Sequence, residues 1–336
     1  MDTLTHIALG ACIGEAFLGK KIGKRAMLLG ALAQSLPDID FIANLWLNPP
    51  ASLLAHRGFT HSLLFCILAA IVMALASEKI HRPHNIKLNK WILFFGIEVL
   101  VHIFIDAFNN YGVGWFEPFS HYRVSFNAIY VADPFFSLWP GIAFLVLWVM
   151  KRGEKRRRFW WRFGVWVSAV YLAYCLFNKA LITSDVNNAF AVQHIPHQRY
   201  FTTPAPLQNW LWYIVAGNDS GYYIGYHSVF DAGPGITFTF FKRNNALLAN
   251  VPATENVPQL VRFSRQFYTL EKWNDTLVFN DLRFGQMAGW QNPHGRFVFH
   301  YFLQRPADNL TVVQRGRIDQ FTWQTFRSMI KRIEGE

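Results

Sequence analysis

Cysteine is scarce in this chain, with three residues among 336. Cys12, Cys66 and Cys175 all sit inside apolar runs without ligand spacing. That excludes a disulfide scaffold and a thiolate metal site and leaves them as core residues. Charge is also scarce. Charged residues make up 16% of the chain and aromatics 17%, a balance that does not suit an ordinary soluble globule. No internal repeat or low-complexity tract is visible, which excludes a solenoid. The first residues, "MDTLTHIALGACIGEAFLG", lack the basic start of a signal peptide and carry Asp2, His6 and Glu15. They read as a retained segment rather than a cleaved one.

Long apolar runs are what the chain has in place of charge. Thr60–Ala76, Trp91–Phe108, Pro134–Met150 and Phe163–Phe177, with their flanks, approach the ~20 residues needed to cross a bilayer. The net charge of +11 gathers between these runs, at 20–25, 78–90 and 151–158. This is the distribution of cytoplasmic loops under the positive-inside rule, and it does not describe a nucleic-acid surface. With those clusters on the cytoplasmic side, two short helices (3–19 and 26–36) precede the four runs, and 109–133 forms an outer loop.

Beyond residue 183 the pattern changes to period-two runs, "ITFTFFKR", "TLVFNDLRF" and "RFVFHYFLQR". In the last of these Phe297, Phe299, Tyr301 and Leu303 share one face. A final amphipathic helix carries Phe326, Ile330 and Ile333 on its apolar stripe, with Asp319 as its cap. The fold expected is an α-helical polytopic membrane domain of about four to six helices over 1–183. A soluble, mostly antiparallel α+β domain follows over 184–336, outside the cytoplasm.

The chemistry-bearing residues converge on one side of that topology. Glu98, His102 and Asp106 recur every fourth residue and lie on one stripe of a membrane helix, where ionisable groups are costly. His102 and Asp106 are spaced to bind one ion from consecutive turns. Asp38 and Asp40 follow Pro37 in "LPDID", as ligand or general base, and residue spacing leaves open which is which. His6 stands at the outer end of the first helix. "HRGFTHS" places His56, Arg57 and His61 at the mouth of a hydrophobic run, with Thr60 or the residues beside it opening a helix whose free N–H groups favour an anion. Arg57 is either a planar fork for phosphate or an interfacial anchor.

The blocks "DTLTH", "PDID", "HRGFTHS", "HIFIDAFNNYG", "EPFSHYR" and "DP" together resemble the YdjM-like inner-membrane proteins, described as membrane-bound metal-dependent hydrolases. "TPAPLQNWLW" at 203–212 is similar to the start of that family's C-terminal domain. The family is in turn remotely similar to zinc-dependent phospholipase C and the zinc single-strand nucleases. That resemblance implies metal ligands at His6, Asp38 or Asp40, His61, His102 and Asp106, with Asp106 bridging two metals. Two features depart from the soluble enzymes. They use a processed N-terminal amine, and they have a further His and His-x-x-x-Glu/Asp pair, for which His121 is wrongly spaced.

The reading is a multi-pass inner-membrane metallohydrolase holding one or two divalent ions, zinc suiting the ligands best. Asp38, Asp40, His56 and Arg57 would do its chemistry. Its substrate would be a membrane lipid or lipid-linked phosphoester at the outer face, with no nucleic acid involved. An ion or proton transporter using Glu98, His102 and Asp106 is one rival, and a scaffold with a structural metal is another.

Overall fold

The computed structural model describes residues 1–81, 85–233, 235–249, 251, 255–303, 312–314 and 322–335. Along the chain the helices are α1 (Thr3–Ile22), α2 (Lys24–Ser35), α3 (Pro49–Ala55), α4 (Leu63–Ile80), α5 (Leu88–Asp106), α6 (Pro134–Val149), α7 (Arg157–Val192), α8 (Asn256–Phe263) and α9 (Trp323–Ile333). Two compact units form. One comprises Met1–Ile42 and Ala55–Cys175, the other Ala43–Leu54 and Leu176–Glu336.

The first unit is helical. Among the described residues α4, α5 and α7 are long and apolar enough to cross a membrane. A fourth crossing arises if α2 and the 3₁₀ stretch Pro37–Leu45, bent 52° from it, form one broken span. On α4 Ile67, Leu68, Ile71, Val72 and Leu75 are exposed, as expected of a helix whose solvent is lipid. Helix α6 has 16 residues, about 24 Å of rise, short of the ~30 Å hydrocarbon layer.

Small residues bring α1 and α2 together. A Cβ on Gly30 would lie 2.1 Å from the Gly10 carbonyl oxygen, and one on Gly14 would lie 2.1 Å from that of Ala26. No larger residue permits that backbone approach. The core beside them sets Trp91, Phe94 and Phe95 of α5 against Leu18, Ile22, Ala26, Ala33, Ala70 and Ala74. At the far end of α1 from His6, Glu15 and Arg157 form a buried bidentate pair at 2.8 and 2.6 Å. All three cysteines are free and buried.

Helix α4 opens beside Thr60, at Leu63, while the end of α7 and the buried stripe of α9 differ from expectation. Phe59–His61 make a 3₁₀ turn, and Ser62 caps α4 by accepting from Phe65 N at 3.0 Å. Helix α7 runs on to Val192, because no glycine or proline interrupts residues 165–192 and hydrogen bonding outlasts the apolar composition. Helix α9 buries Thr325, Met329 and Ile333, while Ile330 is 39% exposed. Its stripe is one position round from the expected one, with Phe326 only partly buried against it. Thr322 caps α9; Asp319 lies outside the described residues.

The second unit carries two four-stranded antiparallel meanders. The first runs β1 (Arg199–Pro204), β2 (Leu211–Gly217), β3 (Gly221–Ser228), β4 (Thr239–Lys242), and the second β5 (Tyr268–Trp273), β6 (Thr276–Gln286), β7 (Phe297–Leu303), β8 (Val312–Gln314). Phe297, Phe299, Tyr301 and Leu303 are all buried, as alternation requires of one inward face. The chain is thus a helical region with membrane-crossing helices followed by antiparallel sheets.

Candidate metal centre

Four side chains meet at the end of α5. Ligand atoms of Asp38, His61, His102 and Asp106 all lie within 4.8 Å of one another. His102 and Asp106 come from successive turns of α5, Asp38 from the stretch after Pro37, and His61 from the turn before α4. The two imidazole Nε2 atoms are 3.1 Å apart. Each is 3.6 Å from Asp38 Oδ1, and they are 3.6 and 3.8 Å from Asp106 Oδ2. The histidines and Asp106 are fully buried, and Asp38, 18% exposed, is the member nearest solvent.

The polarity of the surroundings decides what this group can hold. His61 Nδ1 is 3.3 Å from Asp40 Oδ2 and 3.1 Å from Thr60 Oγ1, whose hydroxyl itself bonds Asp40 Oδ2 at 3.1 Å. An ionised Asp40 only accepts, so Nδ1 carries the proton and Nε2 turns its lone pair on the cluster. A lone pair ringed by two carboxylates and a second imidazole calls for a cation. The donor set therefore fits a divalent metal. One feature departs from the usual outer shell, since His102 Nδ1 has no hydrogen-bond partner among the described residues.

Asp40 stands outside the four and organises the loop beside them. Besides facing His61 it accepts from Arg57 N at 2.7 Å and pairs with His56 Nδ1 at 2.9 Å. Those bonds, with Gly114 N donating to Arg57 O at 2.9 Å, hold Arg57 at φ 59°, a region few non-glycine residues occupy. Arg123 donates to His56 O at 2.9 Å, so the "EPFSHYR" block braces the "HRGFTHS" turn. His56 is the exposed member, 38% accessible. Burial lowers its pKa; the Asp40 bond opposes this and Arg57 adds to it, and the net is below the ordinary histidine value.

Arg57 is neither an anchor at the interface nor an open fork for phosphate. It is 3% exposed, donates from Nη1 to Asn109 Oδ1 at 2.7 Å, and stacks over Tyr111. Its Nε lies 2.9 Å from Asp106 Oδ2 without the alignment of a hydrogen bond. Its charge offsets that of Asp106. The other Asp106 oxygen, Oδ1, accepts from the buried Met1 amine and faces His6 Nε2 at 3.2 Å. His6, outside the four, stacks on His102 with centroids 3.8 Å apart. His121 pairs with Glu117 at the surface.

Residue patterns did not single out Asn109, Gln34 or the Met1 amine. Asn109 had a signal, a polar pair following an apolar helix. Gln34 had a weaker one, a lone amide ending an apolar run. Nothing local marked the amine.

The model for YdjM inner membrane proteins matches residues 1–182, and every side chain just described lies within them. The chain belongs to the YdjM inner membrane protein family. Protein YfhP of Bacillus subtilis (strain 168) is 32% identical over 173 residues, covering 46% of this chain and 52% of its own. Inner membrane protein YbcI of Escherichia coli (strain K12) is 31% identical over 122 residues, 36% of this chain and 69% of its own. The chain spans about half the length of YfhP. No solved structure matches significantly. The YdjM match ends ten residues before the end of α7.

Proposed function

We propose that this YdjM protein is a metal-dependent hydrolase that cleaves a phosphoester, lipid-linked or lipid itself, at the outer face of the inner membrane. The observation that carries this reading is the Asp40–His61 contact, which turns His61 Nε2 toward Asp38, His102 and Asp106. Such a set is an outer carboxylate, an imidazole and an inner ligand group, as metallohydrolases use. Asp38, His61, His102 and Asp106 would hold one ion, and zinc would suit two imidazoles and two carboxylates. His6 Nε2, 3.2 Å from Asp106 Oδ1, would be available to a second ion. When bound, the metal supplies Lewis-acid polarisation and a water acidic enough to ionise near neutrality.

The chain's own groups then divide the work. His56, accessible and neutral at pH 7, takes or returns a proton at Nε2, while Asp40 holds its Nδ1. Arg57 sets its positive charge beside Asp106 Oδ2, at 2.9 Å. With the basic clusters cytoplasmic, the site and the C-terminal domain face outward, at the level of lipid headgroups.

Metal analysis of purified protein in lipid tests this reading, with Asp38→Asn beside wild type. One or two zinc ions and phosphoester hydrolysis lost on chelation are expected in wild type, with at least one ion lost in the variant. A zinc-loaded wild type inert towards a broad phosphoester and ester panel would leave a structural metal instead.

A further inference from the structure

Behind the centre the polar contacts continue into the helical core. His6 Nδ1 lies 3.3 Å from Gln34 Oε1, and Gln34 Nε2 donates to Glu98 Oε2 at 3.1 Å. With Asp106 Oδ1 at 3.2 Å from His6 Nε2, this is a chain of four fully buried side chains drawn from α1, α2 and α5. Neither Gln34 nor Glu98 reaches the metal group, and the reading above gives them no task.

The chain has a direction. A neutral imidazole has one N–H, and two acceptors compete for it: Gln34 Oε1 at Nδ1 and Asp106 Oδ1 at Nε2. Glu98 biases the first. Its oxygen accepts from the Gln34 amide N–H, and this turns the Gln34 carbonyl toward His6. The pull of Asp106 is weakened from its own side, because Oδ1 already accepts from the Met1 amine and Oδ2 lies beside Arg57. Stacking on His102 keeps the ring from turning away.

We propose that Gln34 and Glu98 are positioning residues that fix His6 as the Nδ1–H tautomer and so keep its Nε2 lone pair for a divalent cation shared with Asp106 Oδ1. Without them the proton moves to Nε2, bonds Asp106, and removes both atoms from the ligand set. The inference rests on the metal reading above. Its test does not depend on hydrolysis.

Nitrogen-15 spectra of histidine-labelled, metal-free protein in bilayers report the tautomer directly, with His6 assigned by the signal missing from His6→Asn. Wild type should show His6 protonated at Nδ1. Gln34→Met and Glu98→Met, which keep volume and remove the relay, should show it at Nε2. Zinc affinity, measured by competition with a chromophoric chelator, should fall about 10- to 100-fold in both, the usual loss for an outer partner of a ligand. An Nε2–H wild type would overturn the proposal, as would variants with unchanged tautomer and affinity. Should a variant fail to fold, the wild-type tautomer decides alone. An inert wild type with His6 protonated at Nδ1 supports this inference while removing the hydrolase.

Discussion

Asp38 and Asp40 are two residues apart and face different work. Asp38 Oδ1 looks at two imidazole nitrogens; Asp40 gathers Arg57 N, Thr60 Oγ1, His56 and His61. Asp40→Asn keeps one acceptor oxygen and loses the charge that orients His61. Zinc affinity should drop about 10- to 100-fold, with a lower melting temperature because a buried network is left half satisfied. A chelator competition showing wild-type affinity would mean Asp40 does not orient His61. His56 sets a pH dependence. Its pKa lies below the ordinary value, so the neutral base persists down through pH ~6.5 and is lost as pH falls further. The acid limb of kcat should lie below that value and vanish in His56→Gln, leaving activity lowered by ~10²-fold or more. An unchanged limb would assign it to another group.

At the scale of elements, the centre depends on how closely α1 approaches α2 and α5. His6 sits one turn from Gly10, and Gln34 one turn from Gly30, the two glycines whose backbones meet. Gly30→Val would force its side chain into the Gly10 carbonyl and Glu98 Oε1. Overpacking of that kind costs about 1–3 kcal/mol, and it should separate His6 from Asp106. Thermal unfolding in detergent should show the loss, and zinc stoichiometry should fall toward one ion. Retention of two ions at wild-type stability would show that the helices separate without disturbing the site.

For the whole molecule, the proposed orientation turns on α6. Clusters at 78–90 and 151–158 both lie inside only if α5 crosses outward and α6 returns, yet α6 has 16 residues. Tilt is not available to a helix this short, so local thinning must accommodate it. Reporter fusions after Lys21, Lys87 and Arg156 should read cytoplasm, and those after Asn110 or in the 220s should read outside. A cytoplasmic signal from the 220s would reverse α7 and place the site and the C-terminal domain on opposite faces.

Periodicity and composition are local, and what is local was legible in the sequence. Apolar runs marked α4, α5 and α7, alternation marked β6 and β7, and spacing marked His102 with Asp106. The spacing of "PDID" could not tell Asp38 from Asp40, because their difference lies in which loop packs against each oxygen. Arg57 reads as a phosphate fork or an interfacial anchor until Asp106 and Asn109 enclose it. The Gln34 and Glu98 relay exists only because glycines let α1 and α2 touch. Hydrogen-bond polarity between residues 28 and 100 positions apart is a property of packing, and only the tertiary structure could decide it.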